Sequence, residues 1–318
     1  MSENLIGFLY PGQGSQKVGM GHDLYQKFAE AREVFDQADS LLGFSLSRLC
    51  FKGPEEELNR DLNTQLAVYT VSCILTDLLK KNNVVPSVVS GYSSGFYSAA
   101  YAAGCFSFAD GLEIVKQAGE ILLEAGRKVD GNMAVIFGLS YEQVESACGQ
   151  AGDADVAIFN TPRQIIISGI TSSVKRVMEL CLEKGALDVY LLNAEVPYHS
   201  RFVEKSCLRL LHEINDRCLS DPHTPLISYL LLESVADRMD LKKIIAAQLS
   251  RPVLWVDLIR KMHNSRTSFV EVGPGEIISR SVRWINRNIR VSNTSGLENL
   301  LNTVKNFEMS DGRVSADS

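Results

Sequence analysis

Residues 88–95 read Val88-Val89-Ser90-Gly91-Tyr92-Ser93-Ser94-Gly95, an apolar strand that runs straight into Gly-x-Ser-x-Gly. Phe96-Tyr97-Ser98-Ala99-Ala100 follows as an Ala-rich helix that stops at Gly104. This strand–turn–helix order constrains the fold more than any other stretch. The glycines permit a sharp turn that a Cβ would crowd, and the turn pushes the serine Oγ into the open. The helix start behind it offers free N–H groups to an oxyanion. A serine nucleophile in an α/β protein is therefore expected at Ser93.

The chain has 318 residues, 45% hydrophobic and 22% charged, enough for about two domains with ample cores. A net charge of −6 argues against broad nucleic-acid binding, which needs a basic surface. No apolar run is long enough to span a membrane, and the start Met1-Ser2-Glu3-Asn4 carries no basic leader. Seven dispersed cysteines without a Cys-x-x-Cys pair suggest reduced thiols, and with them a cytoplasmic location. The five histidines lack ligand spacing, so no metal site is expected.

Hydrophobic periodicity predicts a buried strand at 5–10 and helices at about 21–40, 63–81 and 108–125. Residues 131–195 then follow a different pattern. Strands at 134–138, 156–160, 164–170 and 187–192 alternate with helices at 141–148 and 172–184. That β-α-β-β-α-β order is the ferredoxin-like signature. The expected architecture is an α/β-hydrolase-like large domain, formed by 1–130 and 196–308, with a ferredoxin-like small domain inserted at 131–195. Further helices are expected at 200–214, 241–249 and 276–287, and a strand at 268–272. The polar residues 309–318 are expected to be a disordered tail.

Seven short motifs occur in one order: Gly12-Gln13-Gly14-Ser15-Gln16, Asn63-Thr64-Gln65, the Ser93 turn, Asn160-Thr161-Pro162, Val196-Pro197-Tyr198-His199-Ser200, Gln248 with Arg251-Pro252-Val253, and Glu271-Val272-Gly273-Pro274-Gly275. With the inserted small domain, this series resembles the malonyl-CoA:acyl-carrier-protein transacylase family of fatty acid and polyketide synthesis, over about residues 4–300. The resemblance implies transfer of an acyl group from coenzyme A, or another thioester, to the pantetheine thiol of an acyl carrier protein. It implies a ping-pong route through an acyl-serine. The substrate would be acyl-CoA and the partner the carrier protein, with no permanently bound cofactor and neither nucleic acid nor membrane involved.

Carried over residue by residue, the resemblance implies Ser93 as nucleophile and His199 as its base. A neutral hydroxyl attacks a thioester poorly, and an imidazole of near-neutral pKa can take its proton. No acid follows the hydrolase order Ser…Asp…His, and the resemblance instead implies a backbone carbonyl at or near Gln248. The oxyanion donors would be the backbone N–H groups of Gln13 and Ser94. Gln65, Tyr92, Ala118 and Asn160 would line the substrate pocket.

The chain departs from the family pattern in three places. Tyr92 and Phe96 replace a histidine and a glutamate of the usual turn. In Val115-Lys116-Gln117-Ala118-Gly119, Ala118 stands where the family carries an arginine that clamps the malonyl carboxylate. Lys116 lies about 200° around the helix and points elsewhere. An unpartnered carboxylate in a partly dry pocket is costly, so an uncharged acyl group is expected. The alternatives are malonyl held by another group, or hydrolysis of acyl groups from carrier proteins. A degenerate, non-catalytic binding protein is disfavoured because both Ser93 and His199 are present. Finally, Arg280, Arg283, Arg287 and Arg290 recur at helical spacing, which predicts one basic face of a last helix for an acidic carrier protein.

Overall fold

The computed structural model describes residues 5–314, and side chains through 309. The first half opens with β1 (Leu5–Tyr10) and five helices: α1 (His22–Lys27), α2 (Ala29–Leu42), α3 (Leu46–Lys52), α4 (Glu55–Leu58) and α5 (Asp61–Lys81). Then come β2 (Val88–Gly91), α6 (Gly95–Ala102) and α7 (Phe108–Gly126). The middle is β3 (Gly131–Phe137), α8 (Tyr141–Ala151), β4 (Ala154–Thr161), β5 (Gln164–Ile170), α9 (Thr171–Glu183) and β6 (Asp188–Leu191). The last part holds α10 (Glu204–Glu213), α11 (Arg238–Ala247), α12 (Trp255–Met262), β7 (Thr267–Glu271), α13 (Ile277–Ile285), β8 (Val291–Asn293) and α14 (Leu297–Val314).

Two sheets organise these elements. The first is parallel, ordered β2-β1-β7-β8. Its strands are apolar on both faces, as a sheet covered by helices requires: Phe8, Leu9, Val89, Phe269 and Val270 are all buried. α5, buried along nearly its whole length, packs against α6 and α7. The second sheet is antiparallel, ordered β4-β5-β3-β6. It has its own core, in which Ala134, Ile136, Ile165 and Ile167 meet Val144, Val174 and Val177 from α8 and α9. The strand order and antiparallel pairing are those of a ferredoxin-like unit. Ser140 begins α8 with a capping box shared with Gln143.

Several sequence expectations need correction. The helix expected over 21–40 is two helices, because Phe28 is extended between them. The helix expected to reach 287 ends at Ile285, since Asn286 is extended. Arg287 and Arg290 therefore leave α13, and the four arginines do not form one helical face. α13 is also not the last helix. The expected disordered tail is helical over 309–314, where α14 continues. That helix is anchored by buried Leu300 and Val304, and once nucleated it propagates at little cost per residue. Residues 315–318 lie outside the described residues.

Candidate active site

The site forms where loops leave the carboxyl ends of the parallel strands, the usual crevice of an open α/β sheet. β1 and β2 run in register from Gly7 with Val88 to Tyr10 with Gly91. Their following loops, 11–16 and 92–94, are thereby held side by side. The fit is close: a Cβ on Gly95 would lie 2.1 Å from the Tyr10 carbonyl oxygen, and one on Gly12 would lie 2.6 Å from that of Tyr92. This approach explains the glycines at 12 and 95 without appeal to substrate.

Ser93 sits at the apex of the second loop with φ 53°, a left-handed conformation that non-glycine residues rarely adopt. His199 shares it, with φ 57°. Strain of this kind persists where the surroundings over-determine it. Here it brings Ser93 Oγ to 2.7 Å from His199 Nε2. The histidine backbone is fixed by its N–H, which donates to the Leu249 carbonyl at 3.0 Å.

The other ring nitrogen, Nδ1, lies 3.0 Å from the Arg251 carbonyl oxygen. A carbonyl can only accept, so Nδ1 carries the proton and the Nε2 lone pair faces Ser93. The orienting group is thus centred on Arg251, three residues beyond the expected Gln248. α11 ends at Ala247, and the turn through 248–251 carries the Arg251 carbonyl to the ring, with the Gln248 carbonyl a lesser contributor. Burial holds the imidazole pKa down to about 4, and the two carbonyls oppose that effect. His199 is therefore a neutral base at physiological pH.

Gln13 and Ser94, one on each loop, line the cleft beside this pair. Among the described residues, neither backbone N–H donates to another backbone group. A residue missed in the sequence ties these parts together. Asp61, at the start of α5 and 1% exposed, accepts from Gln13 Nε2 at 2.5 Å, from Tyr198 OH at 2.7 Å and from the Glu195 N–H at 3.0 Å. Its single side chain links the Gln13 loop to the strap that carries His199. Burial raises its carboxyl pKa, against the lowering effect of these donors. Its only signal in the sequence is its place two residues before Asn63-Thr64-Gln65.

A cleft of about 340 Å³ opens over the pair. The large domain supplies Gln13, Gln65 and Tyr92, and the antiparallel sheet supplies Met133, Ile158 and Ile166. Tyr92 packs edge-on to Trp255, with ring centroids 5.2 Å apart. Behind Ser93 a smaller chamber of about 30 Å³ is bounded by Gln65, Tyr97, Leu122, Tyr229 and Gln248. Among the described residues, no lysine or arginine lines either space.

Two expected pocket residues are elsewhere. Asn160 does not line the cleft, and its Nδ2 donates to Gln164 Oε1 at 2.7 Å. Pairing of β4 with β5 passes from Phe159 to Thr161, so Asn160 falls on a bulge that turns it away. Ala118 is wholly buried in α7 and touches neither space, although it lies one turn before Leu122 on the same face. The Glu271 motif is structural. Its carboxylate accepts from the Ile278 and Ser279 N–H groups and so caps α13.

A strained serine on a strand–helix turn, within hydrogen-bond distance of a neutral histidine, is an arrangement suited to acyl-group transfer. Residues 7–293 match the family model for the acyl transferase domain. The malonyl CoA-acyl carrier protein transacylase of Bacillus subtilis (strain 168) is 36% identical over 309 residues, covering 94% of this chain and 97% of that one. Among solved structures, the malonyl CoA-acyl carrier protein transacylase of Clostridium perfringens superposes with a TM-score of 0.91 at 30% identity, covering 99% of this chain and all of that one. A type II polyketide malonyl-transacylase, solved in complex with its acyl-carrier protein, gives 0.90 at 28% identity, covering 96% of this chain and 100% of that one. The chain belongs to the acyl transferase family and is an acyltransferase. Among the described residues, no helix is long and apolar enough to cross a membrane, and no group of His, Cys, Asp and Glu could hold a metal ion.

Proposed function

We propose that this enzyme transfers an uncharged acyl group from coenzyme A to the pantetheine thiol of an acyl carrier protein, by way of an ester on Ser93. The observation that carries the reading is the 2.7 Å contact between Ser93 Oγ and a neutral His199 Nε2. In the first half-reaction Oγ bonds to the thioester carbonyl carbon while its proton passes to Nε2. The Gln13 and Ser94 N–H groups hold the oxyanion, and each such donor is worth about 3–4 kcal/mol. Collapse breaks the C–S bond, and the leaving sulfur takes the proton back from Nε2. The second half-reaction is the reverse, with the carrier thiol giving its proton to Nε2 as its sulfur attacks the ester. We take 131–195 as the small domain that forms one wall of the cleft, and 1–130 with 196–308 as the large domain.

An uncharged acyl group is supported by Ala118 and by the lack, among the described residues, of any lysine or arginine lining the cleft or chamber. A malonyl carboxylate would lose water there without an arginine to replace it. The names of the relatives favour a second reading, malonyl transfer with the Gln65 amide beside the carboxylate. Intact-mass measurement of the enzyme after exposure to malonyl-, acetyl- and butyryl-CoA separates the two. Adducts on Ser93 from the neutral donors, passed on to carrier protein, are expected. Preferential malonyl loading would overturn the uncharged assignment. Loading that survives in Ser93→Ala would overturn the acyl-serine route.

A further inference from the structure

Two buried polar atoms beside the catalytic pair are poorly partnered. Tyr97 and Gln248 are each 2% exposed; their Oη and Nε2 face each other, but among the described residues neither atom makes a hydrogen bond of good geometry. Both residues line the small chamber behind Ser93. Gln248 is held in place from its other end, since Tyr229 OH donates to its Oε1 at 3.0 Å. That bond fixes the amide so that Nε2 is left over as a donor. Buried donors without acceptors are costly and are rare in native proteins. The rest of the lining joins apolar Leu122 and Leu249 to the polar groups of Gln65, Tyr198, Tyr229 and the catalytic pair.

The chamber also limits size. At about 30 Å³ it admits only a few non-hydrogen atoms. Its floor includes Leu122, one turn beyond Ala118 on α7, and Phe96 packs edge-on to Tyr229 beneath it at 5.9 Å. The space is small and walled by aromatic rings. Its lining brings the neutral polar groups of Tyr97 and Gln248 together with Ser93.

We infer that this chamber receives the far end of the acyl group, and that the preferred acyl group is short and ends in a neutral oxygen acceptor, a hydroxyl or oxo group at the third carbon. The inference rests on the acyl-serine reading above and names the substrate class for that site. Gln248 Nε2 donates to that oxygen, and Tyr97 OH donates to it or accepts from its hydroxyl. A site built to bond a substrate oxygen discriminates strongly against an analogue that lacks one, because its own polar groups are then left buried and unpaired.

The test compares 3-hydroxypropionyl-CoA with butyryl-CoA, which have the same number of non-hydrogen acyl atoms, in pre-steady-state acylation of Ser93. Hexanoyl- and malonyl-CoA serve as the long and the charged arms. Expected is at least a tenfold faster loading of the hydroxyacyl group than of butyryl, with hexanoyl slower than both. In Tyr97→Phe the ratio of the two isosteres falls severalfold. Taking the ratio within one variant cancels any loss of active enzyme. Equal loading of the isosteres, or a ratio unmoved by Tyr97→Phe together with Gln248→Leu, would overturn the inference while leaving neutral acyl transfer intact. Faster hexanoyl loading would overturn it by placing the chain in the open cleft. Malonyl as the fastest donor would instead sink the uncharged reading beneath it.

Discussion

The two sides of Ser93 are built by different means. On the catalytic side, position comes from the backbone: two residues held at positive φ, a carbonyl orienting an imidazole, and two loops so close that a Cβ on Gly95 would lie 2.1 Å from the Tyr10 carbonyl oxygen. On the chamber side, character comes from side chains and from one that is missing, Ala118 in place of a cation. Backbone-built features tolerate little substitution, whereas a side-chain pocket can be retuned while the chemistry stays fixed. On the proposed reading, the catalytic side makes acyl groups move and the chamber side selects among them.

The largest effect should come from the catalytic side. Ser93→Ala should abolish the acyl adduct and lower transfer by ~10⁴-fold or more, read by intact mass and by acylation of carrier protein. Any adduct remaining on the variant would place the nucleophile elsewhere. His199→Ala should cost ~10²–10⁴-fold in acylation rate with the fold intact by circular dichroism.

In the wild type, the pH profile tests how the histidine is held. His199 is the base only when neutral, and its pKa is depressed to about 4 from the ordinary 6.5. Acylation should hold its rate from neutral pH down to about 5 and fall only below about 4. Stability carries the matching sign. The unfolded chain takes up this proton near 6.5, so the folded state loses stability as pH drops from there toward 4. An acid limb near 6.5 would mean a wetter site than the geometry implies.

The chamber side gives an intermediate effect. Ala118→Arg places a guanidinium one turn from Leu122. It should raise malonyl loading relative to butyryl by ~10-fold or more, measured by competition between the two donors. No change in that ratio would separate specificity from position 118.

The smallest effect should come from the strut between the regions. All three of the Asp61 partners named above are donors, so the amide in Asp61→Asn sets a donor against donors. Acylation should slow by about tenfold with the KM for acyl-CoA little changed, because Gln13 and Tyr198 loosen while the cleft walls remain. A change in KM alone would make Asp61 a substrate contact instead.

Much of this was legible in the sequence. The Ser93 turn, the β-α-β-β-α-β insert and the Ser140 cap follow from local pattern, because period, glycine placement and capping chemistry act over a few residues. What failed depended on distant groups. The end of α13 at Ile285 dissolves the arginine face, and a bulge at Asn160 removes that residue from the cleft. The orienting carbonyl, expected at or near Gln248, is chiefly that of Arg251 with Gln248 contributing, because of how the 248–251 turn docks on residue 199. Asp61 carried no motif of its own, and its partners lie 48 to 137 residues away in sequence.

By itself, the sequence placed the Ser93 turn, and its resemblance to a family marked His199 as the candidate base and Ala118 as standing where an arginine is usual. Only the tertiary structure decided how the base is held, what braces the oxyanion loop and what closes the chamber. Those depend on which carbonyls, carboxylates and rings meet across 50 to 150 residues of chain, and hydrogen bonds act only at contact.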